Sequence, residues 1–250
     1  MGTLTGKRAL ITGGGQGIGY AIVRELIDRG CNVAIHYFSS KDGSEELVRY
    51  AQSKNYRAVA IAADLTIETE ADNLVSNAAE FLAGIDILVN NTGDLVGRKQ
   101  LADVDLIFWQ KVIDINLTSM MLVTREALVH LEKADGASII NIASLAGRKG
   151  GHPGSLVYSM AKGAVITWTR ALANELGSKG IRVNAVAPGL ILGTRFHSTH
   201  TTKESTDATI ATIPLKGAGN PEDIARTVAF LASEYDGFIN GAIIDVNGGV

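Results

Sequence analysis

With 250 residues, 46% hydrophobic and 20% charged, the chain has enough apolar content for a large buried core, and we read residues 1–250 as one domain. A net charge of −3 lacks the basic excess of a dedicated nucleic-acid binder, and Cys31, the single cysteine, can build neither a disulfide framework nor a thiolate zinc cluster, so no metal site is expected. No run of about 20 apolar residues stands out, and the N-terminus enters a strand pattern at once, so the expectation is a cytoplasmic protein acting without membrane or nucleic acid.

Short β-branched runs alternate with longer amphipathic ones along the whole chain. Lys7 to Thr12 ("KRALIT") is an apolar run and Gly17 to Arg29 has helical periodicity; "NVAIHY" and a helical stretch from Gly43 to Lys54 follow. The alternation continues through "AVAIAAD", Glu70 to Leu82, "DILVNN", Leu106 to Leu131, "ASIINIAS", Ser155 to Leu176, "IRVNAVAP", Pro221 to Ala232 and "AIIDVNGG". Seven runs apolar on both faces, separated by helices, predict a seven-stranded parallel sheet covered on both sides, an α/β doubly wound Rossmann fold. Ligands of such sheets bind beyond the carboxyl ends of the strands.

The first such end carries "TGGGQGIG", Thr12 to Gly19, which leaves a strand and opens a helix. Gly13, Gly15, Gln16, Gly17, Ile18 and Gly19 are its candidate contacts, since bare backbone N–H groups at a helix N-terminus suit a pyrophosphate. The end of the second run reads "IHYFSSKDG" and has no acidic residue to hold an adenosine ribose 2′-OH before Asp42. Ser39 and Ser40 offer hydroxyls and Lys41 a positive charge, which favours NADP(H) over NAD(H). Further on, Tyr158 and Lys162 stand four residues apart in a helical stretch, one turn apart on one face.

Five pieces in order, "TGGGQGIG", "NNTG" at Asn90 to Gly93, Asn116 in "DINL", Ser144 in "NIAS" and Tyr158 with Lys162, together resemble the classical short-chain dehydrogenase/reductase family. The likeness spans essentially the whole chain and includes "VNAVAPG" and the closing "DVNGG". It implies an NAD(P)-dependent oxidoreductase, frequently a homotetramer, acting on an alcohol or a carbonyl. Carried over residue by residue, Ser144 at the end of the fifth strand would hydrogen-bond the substrate oxygen, and Tyr158 would protonate it. Lys162 would bind the nicotinamide ribose and lower the tyrosine pKa, and Asn116 would hold a water linking Lys162 to solvent. Asp64 and Leu65 would meet the adenine, Asn90 and Gly93 the adenosine ribose, and Pro188, Gly189, Ile191 and Thr194 the nicotinamide side.

Moving a tyrosine from about 10 by about three units needs roughly 4 kcal/mol. One ammonium at about 5 Å contributes roughly 3 kcal/mol at an effective dielectric of about 20, and the charge of an oxidised nicotinamide would add to it.

The segment from about 190 to 214 occupies the place of a substrate lid and carries Arg195, His197, His200 and Lys203; His152 lies in the loop before Tyr158. The resemblance extends to 3-oxoacyl-[acyl-carrier-protein] reductases and to sugar and ketone reductases. Asn174 stands where a carrier-docking arginine is expected, so a free keto sugar, keto acid or 3-oxoacyl compound ranks above a carrier-bound substrate. A non-catalytic dinucleotide-binding regulator is the alternative of a different class; relatives of that kind typically lack the tyrosine and lysine.

Overall fold

Alternating apolar runs become parallel strands in the computed structural model, which describes residues 4–194, 199, 202–233 and 237–250. The strands are β1 (Arg8–Ile11), β2 (Asn32–Tyr37), β3 (Ala58–Ala62), β4 (Ile87–Asn90), β5 (Ser138–Ile142), β6 (Arg182–Pro188) and β7 (Ile243–Val246). They pair in the order β3-β2-β1-β4-β5-β6-β7, all parallel. The chain leaves β1 toward β2 on one side and later returns to pair β4 on the other. The loops after β1 and β4 therefore part, and the crevice between them is where ligands of such sheets bind.

Period-2 alternation sends neighbouring residues of a strand to opposite layers. Ala9 and Ile11 of β1 pack with α1 (Gly17–Asp28), α2 (Lys41–Ser53) and α9 (Pro221–Ala232), whereas Leu10 packs with α3 (Glu68–Leu82), α5 (Ser119–Leu131) and α7 (Leu156–Leu176). Leu10 and Ile11 are fully buried, so truncating either to alanine costs about 2–5 kcal/mol. Cys31 is buried in the first of these layers, and burial pushes its thiol up to about 12, the behaviour of a small core hydrophobe.

The expected single helix from Leu106 to Leu131 is interrupted. It consists of α4 (Leu106–Ile113), a π turn at Asp114–Thr118 and α5. By length and composition this run is apolar enough to cross a bilayer, contrary to the sequence expectation. Its Val112, Met120, Val123, Ala127 and Leu131 are nevertheless buried against the rest of the fold. Two further helices, α6 (Ala146–Lys149) and α8 (Lys203–Thr212), carry no clear periodicity in sequence. Arg195, His197 and His200 of the expected lid lie outside the described residues.

Candidate active site

A cleft of about 1870 Å³ runs across the carboxyl end of the sheet, from the loop after β3 at one end to His152 at the other. The glycine turn after β1 forms its middle. Thr12 Oγ1 accepts from the backbone N–H groups of Asn91 and Thr92, each at 3.0 Å, and Asn91 Nδ2 donates to the carbonyls of Thr12 and Gly13 at the same distance. The β4 loop is thereby stitched to the turn. Gly13 and Gly17 take left-handed φ of 62° and 54°, which suits glycine. At Gly19 a methyl group would lie 2.1 Å from the Gly13 carbonyl oxygen, so no side chain fits.

This cradle fits a dinucleotide. Gly17, Ile18 and Gly19 of the first helical turn line the cleft, the N-cap Gln16 makes no side-chain capping bond, and no acidic residue sits in that turn. The donors and the positive end of the helix dipole are thus open to an anion. Gln16, Phe38, Ser39, Ser40, Asp64 and Leu65 line the same end of the cleft. Asp64 also accepts from the backbone N–H and hydroxyl of Thr66 at 3.0 and 2.7 Å, a turn that leads into α3.

At the other end, α7 carries Tyr158 and Lys162 into the cleft. Lys162 is 4% exposed; its Nζ donates to the Ile142 carbonyl at 2.9 Å and lies 5.8 Å from the centre of the Tyr158 ring. Ser144 stands two residues beyond β5 rather than ending it, and its Oγ accepts from the Ala146 N–H at 3.1 Å while meeting the Tyr158 hydroxyl. Asn116 sits inside the π turn, and its side-chain Nδ2 donates to the Val112 carbonyl at 2.9 Å and the Asp94 carbonyl at 2.8 Å. Its Oδ1 is buried with no hydrogen-bond partner among the described residues. A methyl group at Gly93 would lie 2.8 Å from both this atom and Lys162 Nζ, so the two converge on one spot.

Burial dominates the electrostatics of the ligand-free site. Tyr158 is pushed up to about 12, first by burial and then by the charge of Asp94, against the lowering hydrogen bond from Ser144. Lys162 is pushed down to about 8 by burial. Desolvation disfavours both phenolate and ammonium, and without a bound coenzyme the one influence that lowers the tyrosine is the hydrogen bond from Ser144.

Two of the expected contact residues, Asn90 and Gly15, do not line the cleft. The Asn90 side chain points into the core, where Nδ2 donates to Thr124 Oγ1 and Asn141 Oδ1 at 2.9 Å each. Its neighbour Asn91 lines the cleft instead, since successive strand residues face opposite ways. Gly15 is closed against α2, where a methyl would lie 2.4 Å from the Ser40 carbonyl and the Ser44 hydroxyl. Gly93, Pro188, Gly189, Ile191 and Thr194 all line the cleft, with Thr194 lying against Gly17. Sequence reasoning passed over His36, which lines the cleft although 2% exposed. The signal for it is a lone ionisable residue inside an apolar strand.

The chain resembles known proteins throughout. A sequence model of the family described as enoyl-(acyl carrier protein) reductase matches residues 13–250. A 3-oxoacyl-[acyl-carrier-protein] reductase, FabG, of Staphylococcus epidermidis is 36% identical over 248 residues, covering 98% of each chain. Glucose 1-dehydrogenase 2 of Bacillus subtilis is 34% identical over 248 residues, covering 99% of this chain and 95% of its own. The crystal structure of a short chain dehydrogenase from Burkholderia cenocepacia J2315 in complex with NADP superposes with a TM-score of 0.92 at 33% identity, covering 98% of each chain. With its parallel sheet, glycine turn and Ser144, Tyr158 and Lys162 in one cleft, the chain belongs to the short-chain dehydrogenase/reductase family of oxidoreductases.

Proposed function

We propose that the protein reduces the carbonyl group of a free small molecule to the alcohol, with NADP(H) as coenzyme and Tyr158 as the general acid. The observation that carries this reading is the convergence of Ser144 and Lys162 on Tyr158 in the same cleft as the glycine turn. A bound nicotinamide coenzyme supplies the hydride. Ser144 orients the substrate oxygen by hydrogen bonding, and the Tyr158 hydroxyl gives its proton to that oxygen as negative charge develops there. A phenol raised to about 12 is fully protonated at neutral pH, so it holds the proton that reduction consumes. Lys162, titrating near 8, sits beside the unpaired Asn116 Oδ1 and restores that proton through a water held there.

NADP(H) is supported by the absence of a carboxylate among Phe38, Ser39 and Ser40, the residues at the end of β2 that line the cleft, and by the NADP complex of the Burkholderia relative. Lys41 is exposed and pairs with Glu45 at 3.6 Å, so it adds a screened charge. A keto sugar, keto acid or 3-oxoacyl compound remains our substrate class. Relatives named for a carrier-bound substrate keep 3-oxoacyl-[acyl-carrier-protein] reduction as the second reading, against which stands the exposed Asn174 on α7. Exposed Leu106, Ile107, Leu156 and Met160, on α4 and α7, support association of subunits into a homotetramer.

The test is oxidation of NADPH and NADH at 340 nm over a panel of ketones, keto sugars, keto acids and 3-oxoacyl esters, with Tyr158→Phe as control. Turnover that vanishes in the variant supports the reading. Tight coenzyme binding with no turnover of any compound leaves two choices, a substrate outside the panel or a dinucleotide-binding regulator that kept its catalytic residues.

A further inference from the structure

His36 sits on β2 in a layer of apolar side chains, yet both of its ring nitrogens are engaged. Nδ1 accepts from the Gly13 N–H at 3.0 Å, and Nε2 donates to the Ala63 carbonyl at 3.0 Å. A backbone amide only donates and a carbonyl only accepts, so the partners fix the neutral tautomer protonated at Nε2. The backbone carbonyl of the same residue accepts from the Gly14 N–H at 2.8 Å. Residue 36 therefore holds the first two amides of the glycine turn, and its ring ties them to the end of β3, beside Asp64 and Leu65.

We propose that His36 is a positioning residue for the coenzyme: the neutral imidazole holds the glycine turn in its binding geometry, and a proton on Nδ1 releases Gly13 and weakens dinucleotide binding. The proposal rests on the reading of the glycine turn as the dinucleotide site. With Nδ1 protonated, an N–H would face the Gly13 N–H, so a hydrogen bond is replaced by two opposed dipoles.

The surroundings decide when this happens. Asp64 beyond β3 favours the cation, but burial favours the neutral ring and is the larger effect, so His36 titrates below an ordinary histidine. The glycine turn contributes Thr12 and Gln16 as polar side chains, and the β4 loop contributes Asn91 and Thr92, all uncharged. Farther along that loop Asp94 acts on Tyr158. At the start of α2, Lys41 is paired with Glu45, and Asp42 stands in the first turn.

The experiment measures the Kd of NADP⁺ by calorimetry from pH 8 to pH 5 for the wild type, His36→Asn and His36→Leu. Asparagine keeps an acceptor oxygen at the place of Nδ1 and does not titrate; leucine removes the acceptor. The expected result is His36→Asn within about threefold of wild type at pH 8 and His36→Leu weaker by about tenfold. The ratio of wild-type to His36→Asn Kd should widen as the pH falls. The 2′-phosphate titrates in all three proteins, so the ratio removes it.

A constant ratio, or an Asn variant as weak as the Leu variant at pH 8, overturns the proposal. A measurement without variants reads the ring directly: the imidazole ¹⁵N spectrum of labelled wild type should show the Nε2-protonated tautomer at pH 8, and any other form overturns it. No NADP⁺ binding by wild type, with that tautomer present, refutes the dinucleotide reading rather than the hydrogen bonds.

Discussion

Lys162 Nζ hydrogen-bonds the Ile142 carbonyl at 2.9 Å while standing 5.8 Å from the centre of the Tyr158 ring. The ammonium is thus anchored to the last residue of β5 and stands beside the tyrosine ring of its own helix. Its helix spacing places it there; the strand end holds it there.

Replacing Tyr158 by phenylalanine keeps the ring and removes the proposed acid. Turnover should fall by about 10²–10⁴-fold, with the Kd for NADPH within about threefold of wild type. Calorimetry beside steady-state kinetics separates the two; retained turnover refutes the assignment of the acid.

Lys162→Met should lose turnover yet raise the melting temperature of the ligand-free protein at pH 7. Burial lowers the lysine to about 8 from its ordinary 10.5. The unfolded chain holds the proton between these values and the native chain releases it, so stability rises with pH from about 8 to about 10.5. Below pH 8 the full cost of the buried cation is present, on the order of 3 kcal/mol from the shift. Thermal melts at pH 7 and pH 10 check this. The variant's gain should shrink at pH 10, and a variant less stable than wild type at pH 7 contradicts it.

Ser39→Asp places a carboxylate at the cleft-lining end of β2. It should accept from a ribose 2′-OH and repel a 2′-phosphate, moving the kcat/KM ratio of NADPH to NADH toward NADH by at least about tenfold, about 1.4 kcal/mol. An unchanged ratio refutes the assignment of this strand end to the 2′ position.

Asn90→Ala separates fold from site. Asn90 donates to Thr124 and Asn141 in the core, so its loss should cost about 1–3 kcal/mol in urea unfolding. The Kd for NADPH of the folded protein should change less than about twofold. A large loss of affinity in a stable variant would return Asn90 to the site.

The strands were legible because apolar residues fill both faces, and the glycine turn because Gly13, Gly17 and Gly19 meet needs no other residue satisfies. Tyr158 and Lys162 were legible as a pair four residues apart, but their titration was not: it depends on how deeply the folded cleft buries them, which periodicity does not record. Asn90 and Asn91 are adjacent and alike in sequence, and only the pleat distinguishes the core residue from the cleft residue. The π turn at Asp114–Thr118 was hidden because an inserted residue leaves the amphipathic pattern nearly intact over a single turn.

That insertion carries a consequence of phase. Each residue advances an α-helix by about 100°, so a single extra residue lets α4 and α5 each meet its own neighbours while Asn116 turns toward Lys162. Deleting Leu117 would let the two segments merge into one regular helix. Every side chain of the tyrosine, lysine and serine set would survive in sequence, yet with α5 held by the sheet Asn116 would swing away by about a quarter of a turn. The proton route we propose depends on helical register as much as on residue identity.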